Sequence, residues 1–149
     1  MRKPEQSLWD SMNVARKGIS ESPNEFWFQR LENSVATGMP DVRAIRKRNG
    51  LEFWVELKQG PIPKKPETPV FRVAESGKTK GMRVSQINWH IKQHSMRGIS
   101  FILAKLNEEL YLFHGQDADR INEKTIAQLK RIQISVHGWA DIFNYWRHL

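Results

Sequence analysis

Residues 37–60, TGMPDVRAIRKRNGLEFWVELKQG, read as two short strands joined at Asn49-Gly50. Asn-Gly between runs rich in β-branched and aromatic residues is a strong short-range hairpin signal, because both residues tolerate the positive φ of tight turns. Side chains alternate along a strand. Leu51, Phe53, Val55 and Leu57 therefore share one face, read as core, and Glu52, Trp54, Glu56 and Lys58 share the other. Two registers are open. With a two-residue turn, opposed residue numbers sum to 99, so that Asp41 faces Lys58; with the four-residue loop 47–50 they sum to 97, and Asp41 faces Glu56. Either way Asp41, Glu56 and Lys58 meet on one face at one end of the hairpin.

Two carboxylates held side by side repel unless positive charge lies between them. Lys58 alone would make an ordinary surface ion cluster of small energetic worth. The alternative is a hard divalent cation, since Mg²⁺ takes one or two carboxylates, keeps several waters and leaves positions for a substrate phosphate. Such an ion activates water and offsets charge on a phosphate under attack. A neighbouring lysine suits the orientation of that water or the stabilisation of the transition state.

Outward from the hairpin, charge follows the same geography. Residues 1–42 carry −1, residues 43–83 carry +7 and residues 84–149 carry +2, which gives the net +8 of the 149-residue chain. Clustered Lys and Arg with a pI near 10 are the footprint of a phosphate-backbone partner, although a merely solvated basic face has the same composition. The absence of cysteine excludes disulfides and thiolate metal sites. Hydrophobic content of 39% and six tryptophans place the chain among folded globular domains. With no apolar run of membrane-spanning length and no leader-like start, the expectation is one soluble domain, intracellular and cytoplasmic.

The rest reads as a mixed α/β domain in the order α-β-β-β-loop-α-β-β-α-α. The expected elements are a helix over 7–18 capped by Ser7, a strand over 24–33, the hairpin, and a Pro/Gly-rich basic loop over 59–83. A helix over 83–96 capped at Ser85 follows, then two strands over 99–115 turned at Asn107-Glu108. Helices over 123–132 and 138–149 close the chain, so that the core spans about 24–115 and the C-terminal helices 122–149. The last helix lines up Trp139, Ile142, Phe143 and Trp146, a stripe that is either core or the contact of a homodimer.

The pattern GMPDV…FWVELKQ resembles the PD-(D/E)xK nuclease superfamily, and RLENSVATGMPDV…FWVELK…VSQINWH looks closest to small VRR-NUC-type nucleases, often phage-encoded, and to Holliday junction resolvases. The likeness spans roughly residues 26 to 113. It implies a restriction-endonuclease-like core, a mixed central sheet flanked by helices, and phosphodiester hydrolysis dependent on Mg²⁺ or Mn²⁺. By position, Asp41 and Glu56 match the metal-binding carboxylates, with the backbone carbonyl of Leu57 as a further ligand, Lys58 the catalytic lysine, and Gln86 the glutamine on the following helix. Many relatives add an acidic residue from the first helix. Glu5 and Asp10 stand there without a convincing neighbourhood, and Glu32 in RLEN, close to Asp41 in sequence, is the candidate to contribute to the catalytic site instead.

For nucleic-acid contacts the candidates are Arg30, Arg83 and the loop residues Lys64, Lys65, Lys78 and Lys80, with Arg46, Lys47 and Arg48 equally well explained as a solvated turn. His90 and His94 have the i, i+4 spacing of a zinc pair but no third ligand, so a helix face near substrate or core is the better reading. The expected activity is cleavage of DNA, branched or junction DNA first. A general or nicking DNase, an RNase and a catalytically silent nucleic-acid-binding module are the rivals.

Overall fold

Burial along the strands shows how the layers are laid. The computed structural model describes residues 4–19, 24–31, 37–76 and 80–149. Its sheet runs β1 (Phe26–Arg30), β2 (Val42–Arg46), β3 (Leu51–Gly60), β4 (Ser100–Leu106) and β5 (Glu109–His114), in that spatial order. Every neighbouring pair is antiparallel except β3 with β4, which are parallel. A parallel pair needs a crossover, and the long loop with helix α2 (Val84–Ser95) supplies it. The sheet is therefore mixed, with helices on both faces, as expected for the fold class.

One face is closed by α1 (Pro4–Ile19) and α4 (Trp139–Arg147), which bury Leu8, Met12, Phe28, Phe53, Val55, Leu57 and Trp146 in one core. On the other face, the described residues cover β4, β5 and the Glu56–Lys58 end of β3. There a second core joins Ile102, Ala104, Tyr111 and Phe113 to Phe71 and Met82 of the loop, to Ile121 and to Leu129 of α3 (Ile126–Ile132). β4 is accordingly buried almost throughout, whereas β1 alternates buried and exposed. No helix among the described residues is long and apolar enough to cross a membrane.

Several boundaries differ from the sequence expectation. The helix expected from Ser7 begins at Pro4, so Ser7 lies inside it. Helix α2 is capped by Arg83 rather than Ser85, because the Gln86 side chain folds back to accept from the Arg83 N–H at 2.9 Å. A 3₁₀ helix over Gly115–Arg120, not foreseen, follows β5. The Pro/Gly loop is pinned at its middle: Phe71 is buried, Val70 N–H donates to the Lys124 carbonyl, and Asn122 bonds both backbone groups of Met82. The C-terminal stripe is core. Ile142, Phe143 and Trp146 are 0% exposed and Trp139 stacks on Phe143, so the helix offers no dimer contact through them.

Candidate active site

The hairpin register settles first. Val42 opposes Val55 and Arg43 opposes Trp54, the four-residue-loop alternative, and continuing it one residue sets Asp41 opposite Glu56. Continued once more, it sets Pro40 opposite Leu57. Proline has no N–H to give the Leu57 carbonyl, so the ladder stops there. The Leu57 N–H instead donates to Asp41 Oδ2 at 2.9 Å, which fixes that carboxylate at the mouth of the hairpin. A strand residue's N–H and C=O leave on the same side. The Leu57 carbonyl thus leaves on the β2 side of the strand.

Glu56 and Lys58 point to the opposite face from Leu57 and are buried, at 2% and 8% exposed, unlike the surface ion cluster of the rival reading. Helix α2 covers them. Gln86 Nε2 donates to Glu56 Oε1 at 2.7 Å, while Gln86 Oε1 accepts from Lys58 Nζ at 3.2 Å; Lys58 Nζ also lies 3.4 Å from Glu56 Oε1. One amide thus holds both charged groups. Burial, reinforced by the facing Asp41 carboxylate, pushes Glu56 up to about 8, although the Lys58 ammonium pulls the other way. Glu56 Oε2 is buried with no hydrogen-bond donor.

Behind Lys58 lies a pair that the sequence did not announce as part of the site. His90 is fully buried one turn beyond Gln86, and its Nδ1 is 2.7 Å from Ser100 Oγ. Burial and then the Lys58 ammonium push His90 down to about 4, which keeps it neutral. His94 is exposed, so the two histidines are not a metal pair. The expectation of a helix face near substrate or core holds for His90 and not for exposed His94, while Ser100 gave no signal.

The remaining candidates divide cleanly. Lys64, Lys65, Lys80 and Arg83 are exposed. Arg30 belongs to the other face, where its guanidinium sits 6.0 Å over the ring of Trp9 in α1, away from Glu56. Arg46 is buried and donates to the carbonyls of Trp146 and Arg147 at 3.1 and 2.9 Å, satisfying the C-terminus of α4 rather than a phosphate. Asp10 accepts from Gln6 one turn earlier in α1. Glu32, Lys78 and the side chain of Glu5 lie outside the described residues. Among the described residues, no three His, Asp or Glu side chains cluster as metal ligands.

Among solved structures the chain is similar to Hjc, a Holliday junction resolvase from the archaeal hyperthermophile Archaeoglobus fulgidus, at 12% identity and a TM-score of 0.47, with 93% of this chain and 92% of that chain covered. Neither the protein-family models nor the curated proteins give a match.

Proposed function

We propose that this chain is a divalent-metal-dependent nuclease with a PD-(D/E)xK site on a restriction-endonuclease-like core, hydrolysing phosphodiester bonds in DNA. One observation carries the reading: buried Glu56, whose Oε2 has no hydrogen-bond donor, lies against the Asp41 carboxylate, which itself accepts from the Leu57 N–H. Two carboxylates and a carbonyl form an all-oxygen donor set, which suits Mg²⁺ or Mn²⁺ and leaves room for water and phosphate. Asp41, Glu56 and the Leu57 carbonyl would hold the ion, and fewer than three acidic side chains suffice for that. When bound, such an ion acidifies a water and offsets charge on the phosphate.

The chain's own residues complete the assignment. Gln86 and Glu56 engage two of the three Lys58 donors, and the third is assigned to the attacking water or a phosphate oxygen. Gln86 is one partner of that lysine and holds the other, Glu56, in place. The +7 charge of residues 43–83, with Lys64, Lys65, Lys80 and Arg83 exposed, supports a nucleic-acid substrate. Likeness of the sequence pattern to the VRR-NUC and resolvase groups supports branched DNA as first choice. A resolvase cuts two strands, so that choice also implies a dimer, with a contact elsewhere than the buried stripe of α4.

The test is a panel of junction, duplex and single-stranded DNA and RNA, each with Mg²⁺ or EDTA. Asp41→Asn and Glu56→Gln should abolish metal-dependent cleavage and leave binding within about threefold, because the basic surface is untouched. Full cleavage by the Asp41→Asn protein would overturn the assignment. Binding without cleavage by the unaltered protein would favour the silent module.

A further inference from the structure

We infer that the uncovered half of the sheet face is a track for single-stranded nucleic acid leading into the Asp41–Glu56 pair, with Trp27 as the platform on which an unpaired base stacks. The inference rests on the nuclease reading and narrows its substrate to strands with unpaired bases beside the cut.

Register places Trp27 on the same face as the site. Trp27 opposes Ile45, Ile45 opposes Glu52, and the next outward row reads Gln29, Arg43 and Trp54. The row after that is Asp41 and Glu56. Successive rows are two residues apart, so Trp27 stands about 13 Å from the carboxylates along the strand direction. The second core and α2 cover this face over β4 and β5 but stop at Trp54, whose ring meets Trp89 of α2 at 5.4 Å. Beyond it no described residue packs over the face, and the Trp27 side of β1 is exposed while Phe26 and Phe28 are buried beneath.

A single exposed tryptophan is ordinary. This one is 57% exposed on an edge strand, two rows along the same sheet face from the Asp41–Glu56 pair. Its neighbours suit a nucleic-acid strand. Arg43 is held flat against Glu52 by bonds of 3.0 and 2.6 Å, so the surface between Trp27 and Trp54 is ordered and polar. At the outer end, the exposed Lys47 and Arg48 of the turn lie beside the start of β1, to which the Lys47 N–H is bonded through the Glu25 carbonyl. Cations at the rim and an aromatic on the floor are the two components of single-strand binding, since every base has a face to stack and every phosphate a charge to neutralise. A base inside a duplex has both faces occupied by its neighbours and cannot use Trp27.

The experiment measures binding of labelled single-stranded and duplex DNA in EDTA by fluorescence anisotropy, for the unaltered protein, Trp27→Ala and Trp27→Phe. Trp27→Ala should weaken single-strand binding about tenfold and duplex binding less than twofold, and Trp27→Phe should restore most of the loss. With Mg²⁺, an abasic site at one position near the cut should reproduce the Trp27→Ala loss, and the two losses should not add. Single-strand binding insensitive to Trp27→Ala overturns the track and leaves the nuclease reading standing. A Trp27→Ala protein that changes from dimer to monomer in light scattering overturns it in favour of a second copy of this chain. Failure of every oligonucleotide to bind the unaltered protein overturns the nuclease reading as well.

Discussion

In the proposed site Glu56 is the carboxyl group whose surroundings depart furthest from water. Its proton is held far more tightly in the folded protein, at about 8, than at the ordinary value of 4.5. A carboxyl raised in this way favours the folded state at low pH; that contribution is lost as pH rises from about 4.5 to about 8 and is constant above. In EDTA, Glu56→Gln should therefore gain melting temperature relative to the unaltered protein between about pH 5 and about pH 8.5. A gap that stays constant across that range would mean that Glu56 ionises normally. On the proposed metal reading, an ion held by Glu56 would release a proton below about pH 8, so Mg²⁺ affinity, measured by calorimetry, should rise with pH up to that point and then level off.

At the scale of elements, the site depends on how closely α2 is set against the mouth of the hairpin. Gly38 holds that spacing. Its φ is 86°, and a Cβ there would overlap the carbonyl of Ser85 in the first turn of α2. Gly38→Ala should thus displace Gln86 from Glu56 and Lys58, lowering kcat at least tenfold with a stability cost of about 1–3 kcal/mol. Unchanged kcat in a folded Gly38→Ala protein would show that α2 needs no such placement. Gly115 has a similar task behind the site, where a Cβ would strike Ser100 Oγ and crowd His90. Helix α4 acts differently, since Trp146 touches the rings of Phe26, Phe28, Phe53 and Phe101. Trp146→Ala should cost about 3–5 kcal/mol. Phe143→Glu with Trp146→Glu should unfold the chain rather than split a dimer, an outcome that circular dichroism reads directly.

Across the described residues, one sheet face is sealed by the larger core and the other is covered over β4, β5 and the Glu56–Lys58 end of β3, while Lys64, Lys65 and Lys80 are exposed. DNA binding should fall steeply with salt. Replacing Lys64, Lys65 and Lys80 by glutamine should lower the slope of log K against log salt by about one for each phosphate contact removed. An unaltered slope would place the binding surface elsewhere. Because Phe71 and Met82 anchor the loop that carries these lysines, the change should alter affinity and leave the melting temperature nearly as it was.

By itself the sequence determined the order of strands and helices and the meeting of Asp41, Glu56 and Lys58, because period-two alternation and the Asn-Gly turn are local and survive a change of register. It could not choose between the two registers, which only the pairing of Val42 with Val55 decided. Nor could it show that Glu56 and Lys58 are buried, since that follows from α2 crossing over them after a long connection. The same holds for Arg46, which reads as a surface cation but ends beneath the carbonyls of Trp146 and Arg147, a hundred residues away. Alternation tells which face a side chain takes. What covers that face is a matter of long-range packing, and that packing made Gln86 and His90 neighbours of Lys58 while leaving Trp27 bare.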